Sequence, residues 1–214
     1  MNRILLSVSI STLSVLSTAS AETLSSNLDA TVFFTEPVTG PTWIAAGFAT
    51  GSGNYSLTSA TLLLQQVTPG AAVLNLYSDS SGRPGVSQGS LVSPGSFSFS
   101  LTPTEFSGAN LPLTADTTYW LVLHATSGNF NWGWTDNNTG SGVGFVRTWA
   151  SSDNAGATWM ASDIDPMMMA VQASPANGVA PEPGSFLLSA TGTLFAIIVA
   201  LFFHRFGKGI SIAR

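Results

Sequence analysis

The sequence predicts an all-β fold: an antiparallel β-sandwich or jelly-roll domain, preceded by a signal peptide and followed by one transmembrane helix. Three observations carry this expectation. Apolar residues between 22 and 173 recur at a period of two, not 3.6. Clusters of Gly, Pro, Asn and Asp punctuate them at short intervals. Both ends of the 214-residue chain carry an apolar, uncharged run next to basic residues.

At the N-terminus, Arg3 gives a short positive region and Ile4 to Leu16 is apolar with interspersed serines. Ala19-Ser20-Ala21 then has the small-x-small form that signal peptidase accepts. This layout predicts a secretory signal peptide over 1–21, handled by the Sec machinery and cleaved after Ala21. The apolar run is too short and too rich in serine for a membrane span.

Residues 22–173 are expected to form the extracellular β domain. Phe97, Phe99 and Leu101 alternate with Ser98, Ser100 and Thr102. Ala72, Leu74 and Leu76 alternate with Val73, Asn75 and Tyr77. Tyr119 to Thr126 is apolar on both faces, as a central strand would be. Leu57 to Val67 and Met167 to Gln172 are further strand candidates. Turns are expected at Thr68-Pro69-Gly70, at Ser80 to Gly85 and at Asp136 to Gly140. No stretch reads as a long capped amphipathic helix. The chain has no cysteine, so the fold must rest on its core, and thiol chemistry is excluded.

Charge narrows the function classes. Charged residues make up 8% of the chain, against an average of roughly 25%. The β region holds ten carboxylates and only Arg83 and Arg147 as cations, a net charge of −8. Such a surface repels phosphate backbones, so nucleic acid is excluded as a partner.

Residues 174–185 are rich in Pro, Ala and Gly and read as a flexible stalk. Phe186 to Phe203 then runs eighteen residues without a charge. As a helix it spans roughly 27 Å, about the hydrocarbon thickness of a bilayer. The tail 204–214 carries His204, Arg205, Lys208 and Arg214, and basic flanks stay on the cytoplasmic side. The expected topology is therefore an external domain held at the inner membrane, which agrees with the export signal. A GPI signal would end in its apolar stretch, whereas this one ends basic. A permanent single-span anchor remains the alternative to a processed one.

Immediately before the helix stand Pro181, Glu182 and Pro183, whose prolines favour an extended backbone of the kind a protease or transpeptidase takes up. Pro-Glu-Pro, apolar helix and a basic end with Arg205 and Lys208 resemble the PEP-CTERM sorting signal. That resemblance implies exosortase as a partner, processing near Pro181-Glu182-Pro183, and association with exopolysaccharide in a biofilm or sheath. Within the β region, Leu74-Asn75-Leu76-Tyr77-Ser78-Asp79 with Gly82-Arg83-Pro84-Gly85, then Leu111 to Leu123, then Asp153 to Trp159, resemble in order the segments of the "choice-of-anchor R" extracellular domains. That family has no settled activity, so the resemblance implies architecture and location only.

Candidate chemistry is sparse, and no enzyme and no cofactor are expected. His124 is the only histidine of the β region, and no Gly-x-Ser-x-Gly elbow lies near it. The acids fall mostly in turns, where Asp bonds its own backbone; a polysaccharide hydrolase built on two of them is the weakest reading. Asp136, Asp163 and Asp165 supply the hard oxygens that a structural calcium ion would take, without EF-hand spacing. Trp132 and Trp134 alternate on one strand face. Exposed, they would form a carbohydrate-binding platform; buried, they would be core. The favoured expectation is an exported, non-enzymatic surface or matrix protein, with a carbohydrate-binding module as the alternative.

Overall fold

The computed structural model describes residues 20–176. The signal peptide up to Ala19, the Pro181-Glu182-Pro183 motif, the expected membrane helix and the basic tail lie outside the described residues. Ala21 is exposed directly ahead of the first strand.

Ten strands follow in chain order. They are β1 (Glu22–Ser26), β2 (Phe34–Val38), β3 (Trp43–Ala49), β4 (Tyr55–Asp79), β5 (Pro84–Ser90), β6 (Thr102–Leu113), β7 (Thr118–Trp134), β8 (Phe145–Ser152), β9 (Met160–Ser162) and β10 (Met169–Pro175). All pair antiparallel, and the described residues contain no helix. The all-β antiparallel expectation therefore holds.

The strands form one hydrogen-bonded network, not two separately bonded sheets. The reason is the length of β4, 25 residues, and of β7, 17 residues. The first half of β4 pairs with β10 and β6, and its second half with β5, while β7 pairs with it along most of its length. Sequence reading places a turn at Thr68-Pro69-Gly70; the structure instead carries β4 straight through. Both strands bulge here, with register shifts from Gln66 to Ala72 opposite Ala125 to Phe130. Gly70 permits the close approach, since a Cβ there would lie 2.1 Å from the Ser127 carbonyl oxygen. A bulge bends and twists its strand, so the cluster expected to bound a strand marks a break in regularity within one.

The strand path runs β1-β10-β4-β7-β3-β8-β9. Its distant members are nonetheless tied together. The Gly144 N–H donates to the Leu24 carbonyl at 2.7 Å, and the Gly144 carbonyl accepts from the Ala49 N–H at 2.8 Å. One residue thus bridges β1 and β3, and the sheet curls around its core. Leu24, Ile44, Leu62, Leu74, Leu121 and Val171, from β1, β3, β4, β7 and β10, are all buried in one cluster. Each such side chain contributes about 1.5–3 kcal/mol of burial. On the other face, Ala45, Trp120, Val122 and Ala150 form a smaller buried cluster under Trp43, Tyr77 and Trp159. The central position expected for Tyr119 to Thr126 follows, with odd residues in the large cluster and Trp120 and Val122 in the small one.

Two expectations are corrected. Phe97 to Leu101 alternates like a strand but is irregular, with β6 beginning only at Thr102. The β4 ladder beside it is taken by β6 from the Leu64–Thr102 pair onward. Phe97 still packs on the core, edge-on to Phe130 at 4.8 Å. At the far end, β10 continues through Ser174 and Pro175, opposite Ser56 and Tyr55, so the ladder extends into the segment expected as stalk.

Candidate ligand-binding rim

Trp132 and Trp134 are the residues that sequence singled out for sugar stacking. Trp132 is fully buried and its indole donates to the Met168 carbonyl at 2.9 Å. It is a core residue, which removes it from any surface platform. The irregular register between Ala125 and Phe130 is the cause: it resets the alternation of β7, so that Phe130 and Trp132 turn into the large core cluster where the earlier phase would point them to the other face. Trp134 is half-buried at the end of the same strand.

β2 lies beside this end of β7, with Phe34, Glu36 and Val38 opposite Trp134, Trp132 and Phe130. These three β2 residues share one face by strand periodicity. Along it the surroundings change from core to water: Val38 is fully buried, Glu36 is half-buried, and Phe34 is 67% exposed. The neighbouring Phe33 is 62% exposed, and its ring lies 5.0 Å from that of Trp134. Burial pushes the Glu36 carboxyl above its ordinary value of 4.5, and the nearby Trp134 indole draws it partly back. Burial is the larger of the two effects, and the Trp134 Nε1 is itself buried without a partner in hydrogen-bond geometry. The result is an aromatic rim with one carboxyl at its inner edge.

No protein-family model matches this chain. No curated protein matches it either.

A second aromatic group lies over the small buried cluster. Trp43 and His124 stack with ring centroids 4.4 Å apart, tilted by 36°. His124 Nδ1 is buried without a partner, and burial lowers the imidazole pKa from its ordinary 6.5. Its ring thus meets an indole, which is the environment of a packed strand histidine.

The calcium candidates divide between two loops. Asn138 Oδ1 accepts from the Asp165 N–H at 3.0 Å, which joins the Asp136 loop to the Asp163–Asp165 loop. Among the described residues, however, no group of three or more His, Asp or Glu side chains is placed to hold a metal ion. A polar cleft of about 230 Å³ is lined by Ser26, Asn27, Asp29, Asn137, Thr139 and Ser141. It brings one carboxylate among neutral groups.

Sequence reasoning missed Phe33, Phe34 and Glu36. The signal available was an apolar doublet beside a polar pair at 33–36, but too short a run to register as a strand. Its partner, the second half of β7, was visible only as a tryptophan pair.

Proposed function

We propose that this chain is an exported, non-enzymatic surface or matrix protein. In this reading it is delivered by the Sec machinery, held at the inner membrane by residues 186–203, and processed by an exosortase near Pro181-Glu182-Pro183. Its β domain acts outside the cell, associated with exopolysaccharide. The fold is read as a sandwich-like domain, a single sheet curled over one core. The observation that carries the reading is the agreement of two independent signals at opposite ends of the chain: an export signal first, and an uncharged helix with a basic inner flank last. Two features support it. Cleavage after Ala21 would leave β1 intact, since that strand starts at Glu22. β10 closes at Pro175, with five residues between it and Pro181 in sequence, so processing near Pro181-Glu182-Pro183 would leave the sheet intact.

Mass spectrometry of the mature protein, from cells with and without exosortase, tests it. The expected form begins at Glu22 and ends near Pro183 only when the exosortase is present. A mature form ending at Arg214 in both strains would reduce the C-terminal segment to a permanent anchor.

A second reading, carbohydrate binding, is favoured by one observation: Phe33 and Phe34 are both exposed at Trp134, the first in ring contact with it and the second its ladder partner. Sugar rings present apolar C–H faces that stack on such surfaces.

A further inference from the structure

We infer that the rim of Phe33, Phe34 and Trp134, with Glu36 at its inner edge, binds a polysaccharide that carries free amino groups. The inference rests on the carbohydrate-binding reading and names its ligand class.

The geometry supplies two kinds of contact. Phe33 and Phe34 are each more than 60% exposed, in contrast to the buried Trp132 and Phe130 further along the same pair of strands. Phe33 lies ring to ring with Trp134 and Phe34 is the ladder partner of Trp134, so both exposed rings border one indole, on which the C–H side of a sugar can stack. Glu36 is two residues from Phe34 on the same face and only half-buried, so a group on a stacked sugar can reach its carboxylate.

Charge selects the class of sugar. Burial and the Trp134 indole are what act on Glu36; neither arginine of the domain offsets its charge. A half-buried carboxylate without a cation is costly, and an ammonium brought by the ligand offsets that cost. At longer range, the net charge of −8 over residues 22–173 attracts a polycation and repels a uronate polymer. A neutral polymer could stack but would leave Glu36 uncompensated.

The test uses the full-length chain, purified in a detergent without a sugar headgroup. Retention is measured on chitosan, cellulose and alginate beads, in salt high enough to screen long-range attraction. A mildly acidic buffer keeps the chitosan amines protonated. Chitosan should retain the protein and alginate should not. The F33A/F34A double variant should weaken retention about tenfold. Glu36→Gln should weaken it on chitosan alone. Phe99→Ala, which removes an exposed phenylalanine elsewhere, should leave it unchanged. An unchanged melting temperature for F33A/F34A, whose residues are exposed, separates lost binding from lost fold. Retention on chitosan indifferent to both F33A/F34A and Glu36→Gln would mean diffuse charge attraction and overturn the site. Equal retention on cellulose and chitosan, sensitive to F33A/F34A but not to Glu36→Gln, would keep the carbohydrate reading and overturn the amine class. No retention on any polymer would overturn both.

Discussion

The Asp79 carboxylate joins the last residue of β4 to the interior of β7: its Oδ1 accepts the Trp120 indole N–H at 2.8 Å. Its other oxygen accepts the Gly82 N–H at 3.1 Å. Trp120 is 1% exposed, so its indole nitrogen has no alternative partner in water. The same carboxylate thus satisfies a buried donor and pins the turn between β4 and β5, where Ser81 and Gly82 both have positive φ as a tight hairpin requires.

Asp79→Ala should therefore destabilise the domain by about 1–3 kcal/mol, the cost of leaving a buried donor unpaired. Asp79→Asn keeps an acceptor for the indole and should cost less. Urea unfolding followed by tryptophan fluorescence measures both. Equal losses in the two variants would mean that the carboxylate charge, not the indole bond, matters.

The bridge at Gly144 makes a sharper prediction. A Cβ at this position would lie 1.7 Å from the Ala49 carbonyl oxygen, a backbone atom that cannot swing aside. Gly144→Ala should cost at least about 3 kcal/mol or prevent folding, because the contact closing β1 onto β3 must open. Gly40→Ala is the control, since nothing lies within 4 Å of a Cβ there. Thermal melts of the two variants should differ widely; similar melts would show that the closure is not needed.

How much of this was legible follows from where the period of two holds. In Tyr119 to Ala125 it holds, and the inward residues Tyr119, Leu121 and Leu123 were readable directly. Past the irregular register between Ala125 and Phe130 the phase shifts, so Trp132 lies in the core and the platform reading loses half its residues. The hairpin at Ser80 to Gly85 was readable because its residue types fix its backbone. The irregular course of Phe97 to Leu101 was not, because alternation reports which face is apolar and not whether a neighbouring strand is free to pair. Glu36 was invisible as a site residue because its neighbours Trp134 and Trp132 come from almost a hundred residues away, through a register that no local pattern encodes.

Asn27 is buried at the end of β1 and extends the ladder with its side chain. Its Oδ1 accepts the Met169 N–H at 2.8 Å, and its Nδ2 donates to the Met167 carbonyl at 3.1 Å. Asn27→Ala strands both backbone groups and should cost about 2–4 kcal/mol. Asn27→Asp keeps the first bond but turns a second oxygen toward the Met167 carbonyl. That variant should gain stability as acid protonates the new carboxyl and restores a donor. Urea midpoints at neutral and acidic pH compare the two; an Asp variant as stable as the parent at neutral pH would remove the Nδ2 bond from the account.

His124 and Glu36 should give the stability of the domain two opposed slopes with pH. Burial lowers the His124 pKa, so below 6.5 the unfolded chain binds a proton that the folded chain resists. The stability this group contributes is present above pH 6.5 and is lost as pH falls through the folded value. Burial raises the Glu36 pKa, so the folded chain holds a proton that the unfolded chain releases near 4.5. Its contribution is present below pH 4.5 and is lost as pH rises through the folded value. Between these limits the slopes oppose one another. His124→Gln should flatten the rise in stability on moving up toward pH 6.5, and Glu36→Gln should flatten the decline above pH 4.5. Denaturant unfolding across that range reads both slopes separately. If His124→Gln left the acid-side slope untouched, the stacking of His124 on Trp43 would not be withdrawing the imidazole from water.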